Sequence, residues 1–299
     1  MLLIGHFDRV TSLTPPFDRW GAVSESQASF WIPVLGGHDV GGFFIADRLL
    51  LAVPYVFVDN PMSYLGGRET YGYAKTMGRF DPPGGLGSHV KLQAFGGDFG
   101  RYKGADWCDF LEVVTGAPRG GPREMESGLL GLVRHLVGDL PPAADFVLGD
   151  IQFTANLIGD LVGDRLGGQV FLKQFRDATD GTRACYQAVV EAPLHIRRME
   201  TTLSDHDWSI VVHHLDSHPI YDELGVGSQE AALPFDIETD FVVEDGFELG
   251  RFAAPGSALP AHAPSRLDGD GSILEGAARW LWHEVTTLER SAWDLLKRL

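Results

Sequence analysis

Between residues 169 and 216 the chain reads QVFLKQFRDA, RACYQAVVEAPL, HIRRMETTLS and DWSIVVHHLD. Each run is rich in β-branched and aromatic residues, and short turn-forming groups separate them, which is the spacing of an antiparallel meander. The first half carries the same signature. SQASFWIPVL, RLLLAVPYVFV and SHVKLQAFGG are strand candidates, and DPPGGLG over 81–87 is a turn cluster. GRETYGYAKT alternates as well, with Glu69, Tyr71, Tyr73 and Lys75 on one parity and Arg68, Thr70, Gly72 and Ala74 on the other, and it reads as extended. Helical periodicity is confined to two regions. REMESGLLGLVRHLVGDL and DIQFTANLIGDLVGDRL predict a helical insert over 120–166, and ILEGAARWLWHEVTTLERSAWDLLKRL predicts an amphipathic C-terminal helix within a loop-and-helix extension over 253–299. The expectation is one α+β domain over 1–299, mostly antiparallel β-sheet, wrapping barrel-like around a ligand cavity.

The chain has 299 residues, 44% of them apolar, which suffices for a sizeable core. Its formal net charge of −17 argues against nucleic acid and anionic membrane surfaces, both of which need basic patches. A carboxylate ligand therefore calls for a local cationic pocket. Cys108 and Cys185 form no CxxC pair and no disulfide framework, which fits a reducing cytoplasm. MLLIGHFDRV lacks the pattern of a signal peptide. The most apolar stretch, RLLLAVPYVFVDNP, is interrupted by Pro54 and reaches Asp59 too soon to span a bilayer.

DHDWSIVVHHLDSH gathers His206, His213, His214 and His218 with Asp205, Asp207 and Asp216. His213 and His214 are adjacent, however, and point to opposite faces of a strand, so no metal site is expected there. LGGHDVGG lacks the strand-to-helix context and the Gly-Lys-Ser/Thr ending of a phosphate loop.

One stretch resists reading as ordinary core: VDNPMSYLGGRETYGYAKTMG, with an Asp-Asn turn at 59–60, Gly67-Arg68-Glu69, and Lys75 seven residues after the arginine. This arrangement resembles the active-site region of the acetoacetate decarboxylase family. VFLKQFRDATDGTRACYQAVVEAPL and the later IYDELGV are similar to that family's paired C-terminal strands and following loop. The resemblance implies that Lys75 forms a Schiff base with the carbonyl of a keto acid, either a 3-oxo acid for decarboxylation or a 2-oxo acid for aldol and dehydration chemistry. It also implies a homo-oligomer and no organic cofactor. Two positions depart from the pattern: Thr76 stands where well-known members carry a second lysine, and Ala74 where they carry proline. The family's upstream acidic residue has only Asp39 and Asp47 as loose counterparts.

The chemistry of the residues agrees. A free lysine has a pKa of about 10.4, so roughly one in 2,500 is neutral at pH 7, yet only the neutral amine is nucleophilic. Apolar walls or a neighbouring cation shift that balance, and acetoacetate decarboxylase is itself the standing example of such an activated lysine. Tyr71 and Tyr73 are candidate walls. Arg68 is a candidate cation and carboxylate clamp, and Gln174 a candidate cavity-facing residue on FLKQFRD. Glu191, in VVEAPL, is the preferred acid/base group beside Lys75, with Glu69 second. The alternative function is a small-molecule-binding barrel without the chemistry.

Overall fold

The computed structural model describes residues 1–19, 21–40, 43–100, 103–118, 165–231 and 234–252. The predicted C-terminal extension lies outside them, as does the predicted helical insert up to residue 164; Arg165 and Leu166, the insert's last two residues, already belong to a strand.

The described residues are mostly β-strand. In chain order they are β1 (Leu2–Val10), β2 (Val23–Val40), β3 (Phe43–Val58), β4 (Lys75–Asp81), β5 (His89–Gly96), β6 (Asp106–Pro118), β7 (Arg165–Arg176), β8 (Ala184–Leu203), β9 (His206–Val212), β10 (Ser228–Glu230), β11 (Phe235–Val243) and β12 (Phe247–Arg251). Helix α1 (Pro61–Thr70) joins β3 to β4, and the single turn α2 (Ile220–Glu223) follows β9. None of the described helices is long and apolar enough to cross a membrane.

The strands hydrogen-bond in the order β10-β9-β6-β5-β4-β3-β7-β8-β11, with β2 and then β1 added at β3, and β12 beside β11 on β8. This path is open: among the described residues its end strands, β10 and β11, do not pair, so the expected barrel closure is not seen. The sheet is also mixed. β3 runs parallel to both β4 and β7, and every other described pairing is antiparallel. The α1 crossover is what permits β4 to return parallel to β3. RACYQAVVEAPL and HIRRMETTLS are one 20-residue strand, β8, because β7 and β12 cover its first part while β11 covers its second. DWSIVVHHLD leaves the meander altogether and pairs with β6 and β10.

Strand β3 is where the sheet divides. β2 occupies one edge of β3 from Val40↔Phe43 to Gln27↔Val58. The other edge is shared: Leu51 and Ala52 face β7, and Val56–Val58 face β4. The sheet therefore forks along this edge, and Lys75, opposite Val56, opens the β4 branch at the fork.

Two apolar clusters fill the two sides. One contains Ala28, Phe30, Phe57, Leu92, Phe110, Leu111 and Ile220. The other contains Trp31, Leu51, Val53, Val56, Val58 and Phe171, with Tyr71 and Tyr73 packed against it. Strict alternation would place 51 and 53 opposite to 56 and 58. The ladder slips by one residue between Phe30 and Ile32, where Val53 and Pro54 together face Trp31, and this bulge brings both pairs onto one side. Proline is tolerated there because a bulge frees it from donating to the ladder.

Phe110 is fully buried and stacks on Phe57 with ring centroids 4.7 Å apart. Phe110→Ala is expected to lower the unfolding free energy by about 3–5 kcal/mol, measured by urea denaturation.

Candidate active site

Helix α1 takes in residues 67–70, the first part of the GRETYGYAKT run whose alternation suggests an extended segment, and local chemistry explains why. The Asn60 side chain accepts hydrogen bonds from the main-chain N–H of Met62 (2.9 Å) and Ser63 (3.3 Å), capping the helix, and Pro61 occupies a first-turn position where no donor is needed. At the other end Gly72 adopts φ +90°, and its N–H returns to the carbonyl of Gly67. A side chain at Gly72 would also strike the backbone of Lys173. Cap signals at both ends thus outweigh the alternation between them. Arg68 and Glu69 consequently sit on an exposed helix face.

The turn that starts the helix also ties down β2. Asp59 Oδ1 accepts from the Ser26 N–H at 2.7 Å, and the Asn60 side-chain amide donates to the Ser24 carbonyl at 2.9 Å. These two bonds flank Glu25. One two-residue turn therefore fixes both a segment of β2 and the first turn of α1.

Lys75 lies between these two pieces. It is 6% exposed. Its Nζ donates to Ser63 Oγ at 2.5 Å and lies 3.6 Å from Oε1 of Glu25, which is itself 4% exposed. The latter distance is an ion-pair separation, beyond hydrogen-bonding length. Nζ also sits 5.4 Å from the centre of the Tyr73 ring. Gly67 backs the aliphatic stem so closely that an added Cβ would lie 2.9 Å from Lys75 Cε. Burial pushes the Lys75 amine below its ordinary pKa, and the Glu25 carboxylate works in the opposite direction.

Tyr73 forms the wall on the β7 side. Its ring packs on Phe171 with centroids 4.0 Å apart, and its hydroxyl donates to the buried Gln169 side chain across the fork. Tyr71 meets Tyr73 edge-on at 5.9 Å. Burial raises the pKa of both phenols, so both remain protonated donors.

The remaining expected residues are spread more widely. Arg68 donates from Nη1 to the main-chain carbonyl of Lys75 at 2.9 Å and lies over the Tyr64 ring, so it braces the lysine's backbone. Glu191 is buried on β8, against Gly168 and opposite Val170. Its strand is not beside the lysine strand: β3 and β7 intervene, and the row through Ala52, Val170 and Glu191 crosses β3 four residues, about 13 Å, from Val56. Gln174 is exposed on β7, whereas Gln169 of the same strand reaches Tyr73. Thr76 faces the opposite side of the sheet from Lys75, alongside Phe57, and its Oγ1 lies 3.3 Å from Nε2 of the buried His218. Burial lowers the pKa of that imidazole. Side chains 75 and 76 thus alternate across β4, and residue 76 is directed away from the amine.

Sequence reading did not single out Glu25, Ser63 or Gln169. Glu25 had a detectable signal: in SESQASFW, Glu25, Gln27 and Ser29 share one parity with Trp31, running into the strand candidate SQASFWIPVL. All four are buried, and Ser29 Oγ accepts from Gln27 and Trp31.

Among the histidines, His214 bonds Asp222 at 3.0 Å, and with Asp98 and Asp216 it forms a largely exposed group whose ligand-type atoms lie within 4.8 Å of one another. Asp98 is paired with Lys103 and Asp216 with the Phe99 N–H. His206 pairs with its neighbour Asp205.

No protein-family model and no curated protein matches the sequence. In structure, the chain is similar to acetoacetate decarboxylase from Legionella pneumophila, at 11% identity over 84% of this chain and 85% of that one, with a TM-score of 0.43. A second acetoacetate decarboxylase gives 11% identity, 78% and 70% coverage and a TM-score of 0.40. The enduracididine biosynthesis enzyme MppR, in complex with pyruvate, gives 12%, 76% and 67%, and 0.33. Likeness at this level transfers no function, and what this chain does has to be read from its own residues.

Two outcomes test the site. Lys75 is expected to titrate below the ordinary lysine value, measured as the pH dependence of its acylation followed by mass spectrometry. In Glu25→Gln the midpoint falls further, because the charge that favours the ammonium form is gone. Gly67→Ala is expected to leave the unfolding midpoint unchanged or raise it, since alanine is the better helix former by up to about 1 kcal/mol. The same change pushes Cε aside and lowers the acylation rate of Lys75 on the order of tenfold to a hundredfold.

Proposed function

We propose that this chain is an imine-forming carbon–carbon lyase of the acetoacetate decarboxylase type, with Lys75 as the nucleophile. The observation that carries this reading is a lysine amine withdrawn from water, with its pKa lowered by burial, beside one carboxylate and one hydroxyl. The substrate class is a 3-oxo or 2-oxo acid. The sequence resemblance supports the same class.

The chemistry follows from the arrangement. The neutral amine adds its lone pair to the carbonyl carbon; nitrogen releases a proton and the carbonyl oxygen gains one, giving a carbinolamine. A further proton on that hydroxyl lets it leave as water and gives the protonated imine. In sum, amine, carbonyl and one proton become iminium and water. Glu25, 3.6 Å from the nitrogen, would take the first proton and return it to the leaving oxygen. Ser63 orients the lone pair through its bond to Nζ. The iminium then accepts the electron pair left on carbon when CO2 departs from a 3-oxo acid, or when a 2-oxo acid loses a proton before aldol addition and dehydration. In this scheme Glu25, whose oxygen lies 3.6 Å from the amine, takes the acid/base role expected of Glu191 or Glu69. A homo-oligomer in the cytoplasm remains the accompanying expectation.

One observation favours a second reading. Glu25 stabilises the ammonium form of Lys75, and a permanently charged pair would make the site a binding pocket without covalent chemistry.

Sodium borohydride trapping separates the two. Incubation with a trial keto acid, reduction and mass spectrometry are expected to give a reduced adduct on Lys75 and none in Lys75→Ala. Absence of an adduct, together with a lysine titrating near its ordinary value, would establish the binding reading instead.

A further inference from the structure

Glu25 is incompletely satisfied among the described residues. Oε1 faces the lysine amine at 3.6 Å. Oε2 is buried and has no hydrogen-bond partner among the described residues. A carboxylate oxygen deprived of water and left without a donor is costly, and native structures rarely leave one so. Nothing about folding demands it, since β2 is held here by Asp59 and Asn60 through main-chain atoms on either side of Glu25. The orphan oxygen is an acceptor waiting for a donor, and it belongs to the carboxylate that faces the nucleophile.

The type of donor follows from the neighbours. A second carboxylate beside Glu25 would place two like charges together in a dry site. A substrate ammonium would face the cationic iminium that the reaction builds. A hydroxyl suffers neither penalty. It donates to Glu25 Oε2 and keeps its own lone pairs to accept in turn.

We propose that the substrate carries a hydroxyl group within two carbons of the reacting carbonyl, donated to Glu25 Oε2. This rests on the imine reading of Lys75 and narrows it. The substrate is a hydroxy ketone or a hydroxylated keto acid, and any carboxylate it bears points away from Glu25.

Borohydride trapping with matched pairs tests this on the full chain: hydroxyacetone with acetone, 4-hydroxy-2-butanone with 2-butanone, and hydroxypyruvate with pyruvate. The concentration giving half-maximal adduct on Lys75 is read by mass spectrometry and normalised to trapping of each compound by free Nα-acetyl-lysine. The hydroxylated member of each pair is expected to trap at a concentration about tenfold lower or more, the range of a hydrogen bond to a buried charge. Glu25→Leu, which removes the acceptor, is expected to bring that ratio close to unity whatever it does to trapping overall. Equal trapping of both members by the unaltered chain, or a preference that survives Glu25→Leu, would overturn the inference and leave the imine reading intact. No adduct on Lys75 with any compound would overturn the imine reading, and this inference with it.

Discussion

Burying the amine of Lys75 is the constraint around which this part of the molecule is arranged. Removing one charge from water costs several kcal/mol even after relaxation, and an ion pair recovers that only with good geometry and full hydrogen bonding. The pair with Glu25 has neither: the separation is 3.6 Å, and one carboxylate oxygen is unpartnered among the described residues. Apolar residues of similar size would make a more stable core. Burial favours the neutral amine and Glu25 favours the ammonium form, so the two act against each other on one nitrogen.

The Asp59–Asn60 turn converts that requirement into structure. It ends β3, caps α1 and pins β2 on both sides of Glu25. Because β4 returns parallel to β3 through α1, the first residue of β4 arrives under the helix that this turn started. Ser63 and Gly67 then meet Lys75 from the helix, Glu25 meets it from β2, and Tyr73 closes the side toward β7. The fork in the sheet at β3 gives the amine an interior position that a continuous ladder would have filled with a neighbouring strand.

Much of the strand content was legible because alternation of apolar residues between turn clusters is a local property. The lysine was legible for a related reason: Gly67-Arg68-Glu69 and Lys75 lie within one short stretch. The same stretch shows where local reading fails. Residues 67–76 alternate like a strand, but Asn60 caps and Gly72 at positive φ ends a helix that takes in their first part, so Arg68 and Glu69 lie on an exposed face, with Arg68 bonded to the main-chain carbonyl of Lys75. Glu191 was expected beside the lysine from an assumed adjacency of strands, and β3 and β7 lie between. Glu25 went unseen because fifty residues separate it from Lys75, and it takes the β2–β3 and β3–β4 pairings together with the Asp59 and Asn60 bonds to β2 to bring them together.

The sequence by itself marked most of the extended segments, the Asp59–Asn60 turn and Lys75 as the candidate amine, since each depends on dihedral preference or on the functional groups of neighbouring residues. The tertiary structure alone decided which carboxylate accompanies the amine, which side of the sheet each group occupies and how far water is excluded. Those depend on strand order, on a one-residue bulge and on a fork, and such features arise from pairings between segments remote in the chain, where no local pattern records them.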